Sequence, residues 1–145
     1  MVDPRCISQS NFKKIKIADS GKHIIIRNDK QEEFTIYQID GCVIVDGKRA
    51  DKLVRNPRDV DVILEFKGGD IAGAAKQIEA TAAFWLQKQL GVRPIHGCII
   101  STHTPAFNPT IQRVKLEHKR KFGGTFSLRK PFREYAFRTL IKASV

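Results

Sequence analysis

An α/β domain built on a mixed sheet is the fold class this sequence predicts, on three observations. Residues 60–67 form an apolar, β-branched run, residues 71–90 switch to helical spacing, and residues 97–102 return to a short apolar strand. A strand, helix and strand passage of this length predicts a crossover, so the last strand should run parallel to an earlier one. Asn56-Pro57 turns the chain between residues 49–55 and 60–67, which makes those two segments antiparallel neighbours. At 145 residues and 16.4 kDa the chain fits a single domain, residues 1–145, able to bury a core without disulfides or a structural metal.

From the amino terminus, residues 11–17 alternate weakly, and Asp19-Ser20-Gly21 marks a turn. Residues 22–27 and 33–39 alternate as strands and, across the polar turn 28–31, predict a hairpin. Residues 42–45 are a short apolar segment before the turn Asp46-Gly47. In the helix, Ile71, Ala74, Ala75, Ile78, Ala82 and Trp85 recur on one face, with Asp70 as N-cap and Gly91 as stop. Gly73, Ala74 and Ala75 are small enough for it to lie close on the sheet. Residues 104–109 read as a loop, and residues 110–122 as a basic helix capped by Asn108 or Thr110 and ended by Gly123-Gly124. Beyond it, Phe126, Leu128, Phe132, Tyr135, Phe137 and Leu140 alternate with cations. Aromatics in such a pattern can stack on bases, but the favoured reading is that they pin a terminal segment to the core.

Charge narrows the partners. Twenty-six Lys and Arg against fifteen Asp and Glu give a formal charge of +11, and the pI is near 9.9. Such an excess attracts polyanions, of which nucleic acid is the commonest. The surplus is concentrated in Arg113, Lys115, Lys119, Arg120, Lys121, Arg129, Lys130 and Arg133, so the C-terminal third is the predicted phosphate-facing surface. No run approaches the ~18 apolar residues that span a bilayer, so no membrane partner is expected. Cys6, Cys42 and Cys98 are far apart and form no Cys-x-x-Cys pair, which argues against a disulfide framework or zinc knuckle and predicts a cytoplasmic protein.

The chemistry concentrates near residue 65. Side chains in a strand repeat with period two, so Glu65 and Lys67 share a face within a segment that otherwise reads as core. Buried charges need compensation, and a divalent cation held by Asp51 and Glu65 is one way to supply it. Asp51, then Glu65-Phe66-Lys67 at a strand end, then Gly68-Gly69-Asp70 and an alanine-rich helix together resemble the PD-(D/E)XK nuclease superfamily, over roughly residues 33–102. The resemblance implies a restriction endonuclease-like or Holliday junction resolvase-like fold, a mixed sheet flanked by helices. It also implies that Asp51 and Glu65 bind Mg²⁺ or Mn²⁺ and that Lys67 orients the attacking water or stabilises charge at the scissile phosphate. Ala50 stands where the motif has Pro. Glu33 is the candidate for the helical glutamate that many members supply, and Gln77 for a polar helical residue near the site.

The function expected of such a chain is that of a metal-dependent endonuclease acting on DNA, with RNA, or a non-catalytic nucleic-acid-binding role, as the alternatives. A homodimer is a further expectation, since two sites are needed to cut both strands. Other chemistries are poorly supported. His23, His96, His103 and His118 lack the spacing of a helical zinc motif. Residues 101–104 lack a nucleophile elbow, and Gly68-Gly69-Asp70 lacks the Lys-Ser/Thr of a P-loop.

Overall fold

The computed structural model describes residues 1–67, 69–103 and 109–143. After a single 3-10 turn at Pro4–Cys6 come β1 (Ile7–Ser10), β2 (Lys14–Asp19), β3 (Lys22–Arg27), β4 (Phe34–Gln38), β5 (Lys52–Arg55) and β6 (Asp61–Phe66). The chain continues through α1 (Ile71–Gln87), β7 (Ile95–Ile100), α2 (Pro109–Phe122), β8 (Gly123–Arg129), β9 (Glu134–Ala136) and the short α3 (Phe137–Leu140). The result is a mixed α/β architecture. Six strands form a mixed sheet in the order β1-β4-β5-β6-β7-β8, and a smaller sheet has the order β2-β3-β9.

The antiparallel pair β5–β6 and the parallel pair β6–β7 match the sequence reading. Asn56 explains the turn: its side-chain oxygen accepts from the backbone N–H groups of Arg58 and Val60 at 3.0 and 2.9 Å. Leu53, Ile63 and Ile99 pack with Ile78, Ala82 and Trp85 of α1, while Val54, Val62, Leu64 and Ile100 pack with Ile15, Ile17, Ile24 and Ile26 of the smaller sheet. The large sheet is thus covered on both faces. That is why β6 and β7 are buried at every position and read as unbroken apolar runs.

Several expectations are corrected. Residues 22–27 and 33–39 are not a hairpin: β3 pairs with β2 and β9, and β4 pairs with β1 and β5. The Asn28 amide donates to the carbonyls of Phe12 and Glu32, while its oxygen accepts from the Glu32 N–H. This side chain satisfies the loop's backbone while the chain crosses from one sheet to the other. Cys6 and Cys42 form a disulfide, so the cysteine argument for a reducing compartment no longer holds; their Cα atoms lie 5.6 Å apart across 36 residues of sequence. Helix α1 stops at Gln87 and not at Gly91, with Gln89 in the left-handed region at φ 55°. Residues 42–45 belong to a turn closed by a bridge between Asp40 and Ile44. Gly123, at φ 71°, leads from α2 straight into β8. Thr110 lies inside α2, as does Pro109, the last residue of the predicted loop 104–109; residues 104–108, Asn108 among them, and Gly68 lie outside the described residues. No described helix is long and apolar enough to cross a membrane.

Candidate active site

Strand register decides what Asp51 meets. Lys52 lies opposite Leu64 in the antiparallel β5–β6 pair, so continuing the register by one residue puts Asp51 opposite Glu65. Directly opposed residues share a face, and this face is the one covered by α1. Both carboxyls are buried, Asp51 8% and Glu65 3% exposed. Asp51 Oδ2 accepts from the backbone N–H of Phe66 at 2.8 Å, and the two carboxyls hydrogen-bond to each other. Glu65 Oε1 is buried without a hydrogen-bond partner among the described residues. Lys67, one pleat beyond Glu65, is half-buried at the strand end, where its N–H donates to the Ile100 carbonyl at 2.9 Å.

This geometry sets the electrostatics. Burial, then the charge of Asp51 and the hydrogen bond to it, push the Glu65 carboxyl up to about 8; Lys67 opposes the shift. Asp51 is also raised, chiefly by burial, against the stabilising Phe66 N–H. Two like charges facing each other in a low dielectric cannot both ionise cheaply. Near neutral pH the pair therefore keeps a proton, with Glu65 its principal holder.

Sequence reasoning missed what holds Asp51 in place. The Ala50 N–H donates to Thr81 Oγ1 at 2.7 Å, and the Thr81 hydroxyl in turn donates to the Gln77 carbonyl at 2.9 Å. A proline at position 50 would have no N–H to offer, which accounts physically for the alanine. Gln77 is engaged nearby, its Nε2 donating to the Arg49 carbonyl at 3.2 Å. Asp19 and Asp40 also raise the Asp51 carboxyl, though each has a cation of its own: Lys52 lies 3.8 Å from Asp19 and Arg49 2.7 Å from Asp40. Asp19 had a sequence signal only as part of a turn, and Asp40 had none.

Glu33 does not join this group. Thr35 pairs with Arg55, so Glu33 falls level with residue 57, whereas Asp51 is level with Ile39. Six residue rises, roughly 20 Å, separate them. The eight basic candidates also divide. Lys119, Arg120 and Lys121 close α2, next to the start of β8 and hence at the far end of the sheet from Lys67. There Arg120 pairs with Glu117 at 2.8 Å and Lys121 with Glu79 at 3.0 Å. Arg113 and Lys115 lie earlier on α2, and Arg129, Lys130 and Arg133 occupy or succeed the carboxyl end of β8. The two central histidines part as well: His96 Nδ1 lies 3.0 Å from Thr125 Oγ1 inside β7, while His103 lies beyond the strand's other end.

The residues present fit a divalent cation. The donors are all oxygens, one of them a buried carboxylate oxygen with no partner among the described residues, and two carboxyls oppose each other directly across the strand pair. Among the described residues no cluster of three His, Cys, Asp or Glu side chains forms a ready-made metal cage. Mg²⁺ does not need one, because it keeps several of its own waters and takes one or two carboxylates. No family model matches the chain, and neither the curated proteins nor the solved structures give a match.

Proposed function

We propose that the chain is a metal-dependent nuclease with a restriction endonuclease-like fold that hydrolyses phosphodiester bonds of DNA. The observation that carries this reading is the opposition of buried Asp51 and Glu65 across β5–β6, with one Glu65 oxygen lacking a partner among the described residues and Lys67 next along the same face. In it, Asp51 and Glu65 hold Mg²⁺ or Mn²⁺, which when bound acidifies water and neutralises charge on the phosphate. Asp51 enters the reaction pre-oriented by the Phe66 N–H, and Thr81 and Gln77 hold the two polar groups of the Arg49–Ala50 peptide just before it. Glu65 must give up its proton to ligate. The Lys67 ammonium supplies a compact positive charge to the phosphoryl oxygens or orients the attacking water, as water adds to phosphorus and one P–O ester bond breaks. Cutting both strands of a duplex would call for two such chains, a homodimer.

The test is cleavage of circular and single-stranded DNA, and of RNA, by the purified chain with Mg²⁺, Mn²⁺ or EDTA. Metal-dependent cleavage of DNA is expected, abolished by Glu65→Ala and reduced about 10²–10³-fold by Lys67→Ala, with binding largely intact. Retained cleavage in both variants sinks the proposal. Salt-sensitive binding with no turnover in any metal would instead leave a binding module of the same fold.

A further inference from the structure

The parallel register that lines up Phe66, Ile100 and Arg129 brings Lys67, Ser101 and Lys130 to one edge, at the carboxyl ends of β6, β7 and β8. Lys67 and Lys130 stand two strand spacings apart, roughly 10 Å. At the β8 end of that edge is a pocket lined by Ser101, His103, Arg129, Lys130, Arg133 and Tyr135, with Leu128 behind them. Three of its lining residues are cations, and among the described residues no carboxylate lines it. Arg129 is anchored through Nη2 to the carbonyls of Thr139 and Lys142, both at 2.9 Å, while its buried Nε–H meets no acceptor among the described residues. A buried donor of this kind calls for an acceptor. The ring of His103 extends the pocket back toward the metal-binding pair, its Cδ2 lying 3.9 Å from where a side chain on Gly69 would begin.

Above the pocket runs the turn between β8 and β9. Tyr135 Oη donates to the Lys130 carbonyl at 2.7 Å, and the Ile25 N–H donates to the Arg133 carbonyl at 3.0 Å, so both ends are tied down. At its crest Phe132 is 57% exposed, unlike the buried Phe126 and Phe137 of the same segment. Its φ is 63°, the left-handed region, where a bulky aromatic is an outlier that surrounding structure must hold in place. The Phe132 N–H donates to the His23 carbonyl at 2.7 Å, and the two rings meet edge-on with centroids 5.1 Å apart. An exposed aromatic held this way between Lys130 and Arg133 is a stacking platform beside a cationic pocket. Base stacking is tolerant of sequence, and it needs a base free of its duplex neighbours.

We infer that the β8–β9 turn is a subsite for an unpaired DNA strand, with a backbone phosphate in the Ser101–His103–Lys130–Arg133 pocket and a base on Phe132. It rests on the nuclease reading for its role and makes single-stranded or flapped DNA the preferred substrate class.

Binding in EDTA tests it apart from cleavage. Fluorescence anisotropy of the full chain with a labelled oligothymidylate and with a blunt duplex of equal length should show tighter binding of the single strand. Phe132→Ala should weaken the single strand about five- to a hundred-fold and leave the duplex unchanged, and Phe132→Trp should restore it. Lys130→Ala and Arg133→Ala should each lower the salt slope of single-strand binding by about 0.7. Melting curves matched to the parent exclude misfolding. Wild-type binding by Phe132→Ala, equal losses on both ligands, or preference for the duplex overturns the inference. Single-strand binding as described with no cleavage in any metal retires the nuclease alone; duplex cleavage with a neutral Phe132→Ala retires the subsite alone.

Discussion

Asp61 and Glu65 lie on the same face of β6, 2% and 3% exposed, and their surroundings are opposites. Asp61 receives the Arg55 guanidinium at 2.7 and 2.9 Å and the Trp85 Nε1–H at 3.1 Å. Arg55 goes on to the Leu90 carbonyl, so the network is closed. Glu65 faces a second carboxyl and keeps one oxygen without a partner among the described residues. Equal burial thus gives two different outcomes. At one end of the strand a carboxylate is matched by the protein itself, which serves the fold; at the other a carboxyl oxygen is matched by no described residue.

The comparison can be broken by mutation, and the largest effect is expected at Asp61. Asp61→Ala leaves the Arg55 charge half-buried and unpaired and should cost about 3–5 kcal/mol, read from urea unfolding. Glu65→Gln should instead stabilise the metal-free chain at neutral pH, because it removes the ionisation that the unfolded chain favours. If Glu65→Gln proves as damaging as Asp61→Ala, the contrast fails.

Next comes pH. Because the folded-state value of Glu65 is raised from 4.5 to about 8, the folded chain binds the proton more tightly than the unfolded chain between those limits. The stability that this group contributes is therefore fully present below about pH 4.5 and is lost progressively as pH rises toward 8. Thermal melts of the metal-free chain should show that decline, and Glu65→Gln should remove it. Mg²⁺ should raise the melting temperature most at the alkaline end, since ligation releases the proton. A flat profile in the parent protein contradicts the shared-proton picture.

A smaller effect tests the support beneath Asp51. Thr81→Val keeps the shape but strands the Ala50 N–H, and should cost about 1–3 kcal/mol in unfolding. It should also slow cleavage while leaving single-strand affinity alone. Smallest of all is Lys121→Ala at the far end of the sheet, where the side chain is committed to Glu79. Nucleic-acid affinity there should barely move, and a loss equal to that of Lys130→Ala would return the phosphate surface to α2.

The contrast between these two carboxylates was half visible in the residues. The Asn56-Pro57 turn and the apolar run after it are local signals, and they made the two segments antiparallel neighbours, but the register that sets Asp51 opposite Glu65 is fixed by the turn that the Asn56 side chain closes. Helix α1 was legible too, from its period and the Asp70 cap, whose Oδ1 accepts from the Gly73 N–H at 2.9 Å. Turn composition misled at residues 28–31, where a polar stretch marks a crossing between sheets and not a hairpin. Glu33 was misplaced for a related reason, since carboxylate chemistry says nothing about which end of a strand a residue occupies.

By itself, then, the sequence determined the local periods, most of the turns, the mixed character of the sheet and the shared face of Glu65 and Lys67, all of which depend on residues close in the chain, while the register that sets Asp51 opposite Glu65 came from the structure. Only the tertiary structure decided that Cys6 meets Cys42, that Arg55 and Trp85 close on Asp61 while no described cation closes on Glu65 Oε1, and that Phe132 stays exposed while Phe126 and Phe137 are buried. Those outcomes depend on which distant segments pack together, and packing sums many weak contacts that no short stretch of sequence records.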